Sequence, residues 1–382
     1  MLPYRYRGAT LPCAFFFLVS GSVYAMMMSR MPALKAQAGM DDANVGLGLF
    51  CMGVGSMCAL TACNILVRRV STRVILRLAS LLLFAAVILV GHVASSTAYC
   101  AVMAVVGVSL GLIDVCMNTQ AILHERRRDA HYMGFFQACY SFGGIVGACA
   151  GFLAASLGVS PAWNFAAFCL LCLAGWLFSC PYLRADLRVA ESRRRGWRLP
   201  SFIIFCGVME LSVFISEGCV VDWGSIYLHS VKGAPENVAA MSYGASCIAM
   251  FVARLFCDRL RDRFSDFTLI FCGALGVAAG LALALASPWP PLCLAGFAIM
   301  GLSGAPIFPI IMSRAGQYPG IEPSAACAAV STLGYTGLLF FPPLLGFVSR
   351  WHGLTTALLI PLGFALLMCA GSFAFRTGSG TR

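Results

Sequence analysis

The stretch RADLRVAESRRRGWR, residues 184–198, is the longest clearly polar segment of a 382-residue chain and falls near its middle. On either side of it the sequence is a succession of apolar runs, each about as long as the roughly 20 helical residues needed to cross a bilayer core of about 30 Å. Toward the N-terminus six such runs lie at about 10–28, 45–66, 75–93, 99–123, 132–157 and 162–183. Toward the C-terminus six more lie at about 200–228, 238–257, 267–286, 292–313, 325–348 and 355–375. The expected fold is therefore an all-α integral membrane protein of twelve transmembrane helices in two six-helix bundles, 1–183 and 199–382, joined by the basic linker 184–198.

Composition supports the class. Hydrophobic residues make up 60% of the chain and charged ones 11%, against about a quarter charged in soluble domains, and the mean hydropathy is +0.86. A water-soluble fold has no interior large enough to hide that much apolar surface. Most of the 19 cysteines lie inside apolar runs, where cysteine serves as a small apolar filler. The Cys169-x-x-Cys172 pair has no His or carboxylate nearby and reads as packing, so neither metal nor cofactor is expected.

The net charge of +11 follows the topology. With the N-terminus cytoplasmic, only Arg30, Lys35, Lys232 and Arg350 of the 26 Lys and Arg fall in outer loops, so the positive-inside rule puts both termini in the cytoplasm. A signal peptide is the competing reading of the first run, since Arg5 and Arg7 precede it and Ala36-Gln37-Ala38-Gly39 follows; removing it would destroy the charge alternation. A nucleic-acid surface would need a soluble domain to carry it, and none is evident. Arg68-Arg69 to Arg73 after the second run, and Asp258-Arg259 to Arg263 after the eighth, echo one another as a parallel duplication would.

Charge in hydrocarbon costs about 2.5–3.5 kcal/mol per residue by insertion scales, so each carboxylate within a run calls for an enclosed or watery setting. Asp114 lies mid-run with Asn118 one helical turn further on the same face. Glu210 and Glu217 are two turns apart on one face of the seventh run, Glu217 the deeper along it; Asp222 and Trp223 follow, and read equally well as an interface anchor. Gln137, Tyr140 and Ser141 form a polar stripe, while Gly143, Gly147 and Gly151 offer close helix approach. Pro306, Pro309, Pro342 and Pro343 are expected to bend their helices. His124, Glu125, Asp129 and His131 sit in a loop that Arg126 to Arg128 mark as an ordinary positive-inside turn.

Several of these segments, taken in order, resemble the major facilitator superfamily, and within it the fucose-permease-like branch of sugar–proton symporters and their uncharacterised bacterial relatives. They are Ser29-Arg30-Met31-Pro32-Ala33-Leu34-Lys35, Asp114 to Asn118, Gln137 to Gly143, Glu217-Gly218 with Asp222-Trp223, Ile307-Phe308-Pro309, Gly334-Tyr335-Thr336-Gly337 and Pro342-Pro343-Leu344-Leu345-Gly346. The resemblance implies a multi-pass, monomeric carrier of the bacterial inner membrane, with a midplane site lined by runs one, four, seven and ten and rocker-like alternating access. Asp114 matches the branch's carboxylate in run four. Where the branch has a second carboxylate, four residues before the proline after run one, this chain has Met28. The loop Asn64-Ile65-Leu66-Val67-Arg68-Arg69 also departs from the superfamily's Gly-x-x-x-Asp-Arg.

On this reading the chain is a non-enzymatic secondary transporter of a small polar solute, such as a sugar, coupled to protons. Asp114 and Glu217 are the expected proton-coupling groups. Asn118, Gln137, Tyr140, Glu217, Trp223, Phe308 and Tyr335 are the expected solute contacts, and Arg254, Asp258 and Arg259 form a gating charge latch. Efflux of amphipathic compounds through a Met-rich cavity (Met26 to Met28) is the alternative carrier, and a non-transporting receptor the alternative class.

Overall fold

A computed structural model describes residues 10–67, 69–128, 133–183, 200–319 and 323–378. Among them there is no strand, and twelve helical stretches are long and apolar enough to cross a membrane. The chain separates into two compact units, Met1–Arg193 and Arg194–Arg382.

The first unit contains α1 (Thr10–Ser29), the short α2 (Met31–Gln37), α3 (Asp42–Leu66), α4 (Thr72–Val90), α5 (Ser96–Arg128), α6 (Met133–Ser156) and α7 (Pro161–Ser179). The second contains α8 (Ser201–Ile226), α9 (Glu236–Ala240), α10 (Ser242–Arg263), α11 (Asp266–Ala286), α12 (Pro290–Gly304), α13 (Ile307–Gly316), α14 (Pro323–His352), α15 (Leu354–Ala357) and α16 (Leu359–Gly371). The two units repeat one pairing scheme. In the first, α1 packs on α6, α3 on α5, and α4 on both α5 and α7; in the second, α8 packs on α14, α10 on α12, and α11 on both α12 and α16. Counted as membrane spans, every partner is displaced by six, which is the signature of a parallel repeat.

Lipid gives no hydrophobic drive for helices to associate, so close approach through small residues does the work. A Cβ placed on Gly21 would lie 2.2 Å from the Tyr140 carbonyl oxygen, and one on Gly147 2.1 Å from that of Ser22, so α1 and α6 meet backbone to backbone. Gly55 and Gly107 close the α3–α5 seam in the same way, against Ala104 and Met52 carbonyls. In the second unit Gly280 and Gly296 face each other's carbonyls across α11 and α12.

The prolines behave differently from one another. The tenth span breaks between Gly304 and Ile307, around Pro306, because proline removes a donor and clashes with the preceding turn. Pro342 and Pro343, expected to bend the eleventh span, lie inside the continuous helix α14.

Arg30, Lys35 and Lys232, three of the four basic residues expected in outer loops, are held as follows. Arg30 is buried and donates from Nη2 to the Val159 carbonyl at 2.8 Å. Lys35 pairs with Asp42 at the entry to α3. Lys232 donates to the Leu285 carbonyl at 3.0 Å, placing a cation at the C-terminal end of α11, where the helix dipole favours one. At the other end of α11, Asp266 pairs with Arg314 of α13, and the Ser265 hydroxyl caps the helix by accepting from the Thr268 amide at 3.2 Å. Because both members of the Asp266–Arg314 pair are partly exposed, Asp266→Asn is expected to cost about 1 kcal/mol or less in a thermal melt in detergent.

Candidate functional site

In the first unit the apolar helix α5 carries Asp114 near its midpoint. Asn118 Nδ2 donates to Asp114 Oδ1 at 3.1 Å and to the Asp114 carbonyl at 2.9 Å, and both residues are half-buried. The pair forms because positions four apart share a helix face. The amide steadies the carboxyl group without supplying a counter-charge. Gln137 and Tyr140 are half-buried on α6, each engaged in an interaction, and the buried Ser141 bonds back to the Gln137 carbonyl. This stripe belongs to the helix whose glycines abut α1. Met26, Met27 and Met28 have no exposed surface, so they do not supply the flexible lining on which the efflux reading leaned. His124 is bonded from Nε2 to the Thr10 hydroxyl at 2.9 Å and sets its ring edge-on to Phe136. Asp129 and His131 lie outside the described residues, as does the Glu125 side chain. No metal-binding group of three or more side chains occurs among the described residues.

In the second unit the seventh span, Ser201–Val231, organises the polar groups. Glu217 stands half-buried at its middle, within electrostatic reach of Arg254 on α10. The expected latch is thus at most partly visible: Arg254 bears on Glu217, while the side chains of Asp258 and Arg259 lie outside the described residues. Phe308 of α13 and Tyr335 of α14, expected on separate grounds, are joined by Phe214 of α8. Phe214 stacks on Tyr335 at 5.4 Å between centroids and meets Phe308 at 5.9 Å. Phe308 keeps 38% of its surface exposed, whereas Trp223 keeps none. Trp223, expected to offer an aromatic face to a solute, is instead part of the packed interior of the unit in this state, because its whole turn of α8 is enclosed.

Phe214 was missed, and Glu210 was singled out without its enclosure being seen. Phe214 looked like any apolar residue of the seventh span. Glu210 shares a helix face with Phe214 and Glu217, so its polarity was legible, but not that it has no exposed surface. Offset aromatic pairs contribute about 0.5–1.5 kcal/mol beyond the area they bury. Phe214→Ala is accordingly expected to lower both the melting temperature and any solute affinity, and Tyr335→Phe, which keeps the ring, to leave the stack in place.

Twelve spans in a repeated pairing order, with carboxyl groups inside them, define a polytopic membrane protein. The major facilitator superfamily profile matches residues 10–320, and the chain belongs to that family. It is 28% identical over 346 residues to an uncharacterised MFS-type transporter of Yersinia pestis, covering 89% of each chain. It is also 28% identical over 375 residues to the membrane protein MosC of Rhizobium meliloti, covering 96% of this chain and 90% of MosC. Among solved structures it superposes on the nucleoside transporter NupG with a TM-score of 0.69 at 13% identity, covering 98% of this chain and all of NupG. On a D-xylose–proton symporter the TM-score is 0.74 at 15% identity, with 98% of each chain covered. The chain is thus a multi-pass transporter of the bacterial inner membrane.

Proposed function

We propose that the protein is a proton-coupled secondary transporter that moves a small polar solute of the sugar type by alternating access, as a monomer with both termini in the cytoplasm. The observation that supports this most is the Asp114–Asn118 pair. It is a carboxyl group at mid-helix, steadied by an amide, with no cation among its described partners. Proton uptake neutralises such a group, and a neutral group crosses a dry intermediate at far lower cost than a charged one. Phe308 and Tyr335, joined by Phe214, offer the apolar ring faces on which a sugar stacks, and Glu217, Asn118, Gln137 and Tyr140 offer polar contacts. Two of the proteins with the same fold are a nucleoside transporter and a D-xylose–proton symporter.

The two six-span bundles would be 1–183 and 199–382, joined through 184–198, and Arg254 would be released from Glu217 as the second bundle changes state. A proteoliposome assay with an internal pH dye, run against a panel of neutral sugars and nucleosides, tests the proposal. Acidification on solute addition supports symport. Dye extrusion without it would point to efflux, and silence in both to a receptor.

A further inference from the structure

Glu210 is wholly buried, and neither of its carboxyl oxygens has a hydrogen-bond partner in the structure. It lies against α14 at Gly334, where an added Cβ would come within 2.9 Å of the Glu210 Cγ and of the Phe214 ring. The missing side chain at Gly334 is what makes room for the carboxyl group between the two helices. Ser331, one turn earlier on α14, sits beside Glu210, but its hydroxyl is turned to the Met312 sulfur at 3.9 Å.

No compensating charge bears on Glu210 among the described residues. Among the described residues, the groups that bear on Glu210 are Ser331 and, on its own helix, Cys206. In this part of α8, α13 contributes Phe308 beside Phe214 and α16 contributes Gly371 beside Met209, neither of which titrates. Tyr335 of α14 is stacked on Phe214. Arg254 of α10 acts on Glu217, and α12 brings Phe297 near Gly224, further along α8. An ionised carboxylate without a donor or a counter-ion is among the costliest things a protein interior can hold.

We propose that Glu210 is a proton-binding site of the second unit: it holds an exchangeable proton while α8 and α14 are in contact, and gives it up when that seam opens to water. Ser331 is placed to turn from Met312 and donate to the carboxylate as the seam parts. The site rests on the chain being a carrier, but not on the role of Asp114 or on any particular solute. The sign follows from the closed geometry. The seam is compatible with the neutral acid and not with the anion, so raising the pH through the titration of Glu210 favours separation of α14 from α8.

The test needs no solute. Infrared spectra of the purified full-length protein in liposomes are recorded across neutral to alkaline pH, in H2O and D2O, and hydrogen exchange of α14 is followed by mass spectrometry with the intrinsic pH dependence of exchange removed. A carboxylic-acid carbonyl band is expected that shifts in D2O, disappears as pH rises and is absent from Glu210→Gln, yet remains in Asp114→Asn. Protection of α14 is expected to fall in step with the band in the wild type and to be independent of pH in Glu210→Gln. Should that variant not fold, Gly334→Ala serves instead: its Cβ crowds the seam, so the band should vanish at lower pH. A band unchanged in Glu210→Gln, or α14 protection indifferent to pH in the wild type, overturns the assignment. So does loss of the band when sodium replaces choline at fixed pH, which would make the site one for a metal cation. A failure of the solute assay leaves these readings untouched, so the two ideas stand or fall separately.

Discussion

Asp114→Asn is expected to abolish proton-driven accumulation of solute while leaving solute exchange close to the wild-type rate. Asparagine has nearly the shape of aspartate, and its side-chain oxygen can still accept from Asn118 Nδ2, which lies 3.1 Å from Asp114 Oδ1. The helix should therefore persist, and only the titrating group is lost. With one proton moved per solute, a gradient of one pH unit sustains about tenfold accumulation, since a tenfold ratio corresponds to about 1.4 kcal/mol. In the variant the internal and external concentrations should level, and exchange should lose its pH dependence. Accumulation that persisted unchanged would remove Asp114 from the coupling scheme.

Gly147→Val should be the most damaging single substitution away from any polar group. The Cβ alone would lie 2.1 Å from the Ser22 carbonyl oxygen and 2.8 Å from the Met26 amide nitrogen. These are backbone atoms of α1 and cannot swing aside as a side chain would, so the two helices must separate along the whole seam. Overpacking of a side-chain core costs about 1–3 kcal/mol, and a clash with fixed backbone belongs at or above the top of that range. The expected readouts are a melting temperature lower by many degrees in detergent and a large loss of monodisperse protein. Gly363→Ala is the matched control: nothing lies within 4 Å of its would-be Cβ, and replacing a helical glycine there should be neutral or stabilising by about 0.4–1 kcal/mol. Equal damage from both substitutions would mean that the α1–α6 seam is not held by close approach.

The twelve spans were legible because span length is set by bilayer thickness and apolar runs of that length have few other uses. The glycine seam of α6 was legible too, since small residues at four-residue spacing align on one face. Prolines that bend their helices could be read, but not that Pro306 would interrupt its span while α14 runs on through Pro342 and Pro343, because whether a proline also breaks a helix in a bundle depends on what supports the turn around it. The carboxyl groups show the same boundary. Sequence ranks them by depth along the helix, which favours Glu217 at the middle of its span. Enclosure, which singles out Glu210, depends on Gly334 on a helix far along the chain. The trio of Phe214, Phe308 and Tyr335 was likewise invisible until three helices were assembled.

The units share a pairing order but not the material of their principal seams. Between α1 and α6 glycine meets backbone, whereas between α8 and α14 Gly207 meets Leu333, and Gly334 and Gly337 meet the side chains of Glu210, Phe214, Leu211 and Ile215. A seam cushioned by side chains can absorb substitutions by rotamer changes; one formed by main chain cannot. Variation among related chains should thus be tolerated more readily along the α8–α14 seam than along α1–α6, and changes of solute preference should be sought first among its residues.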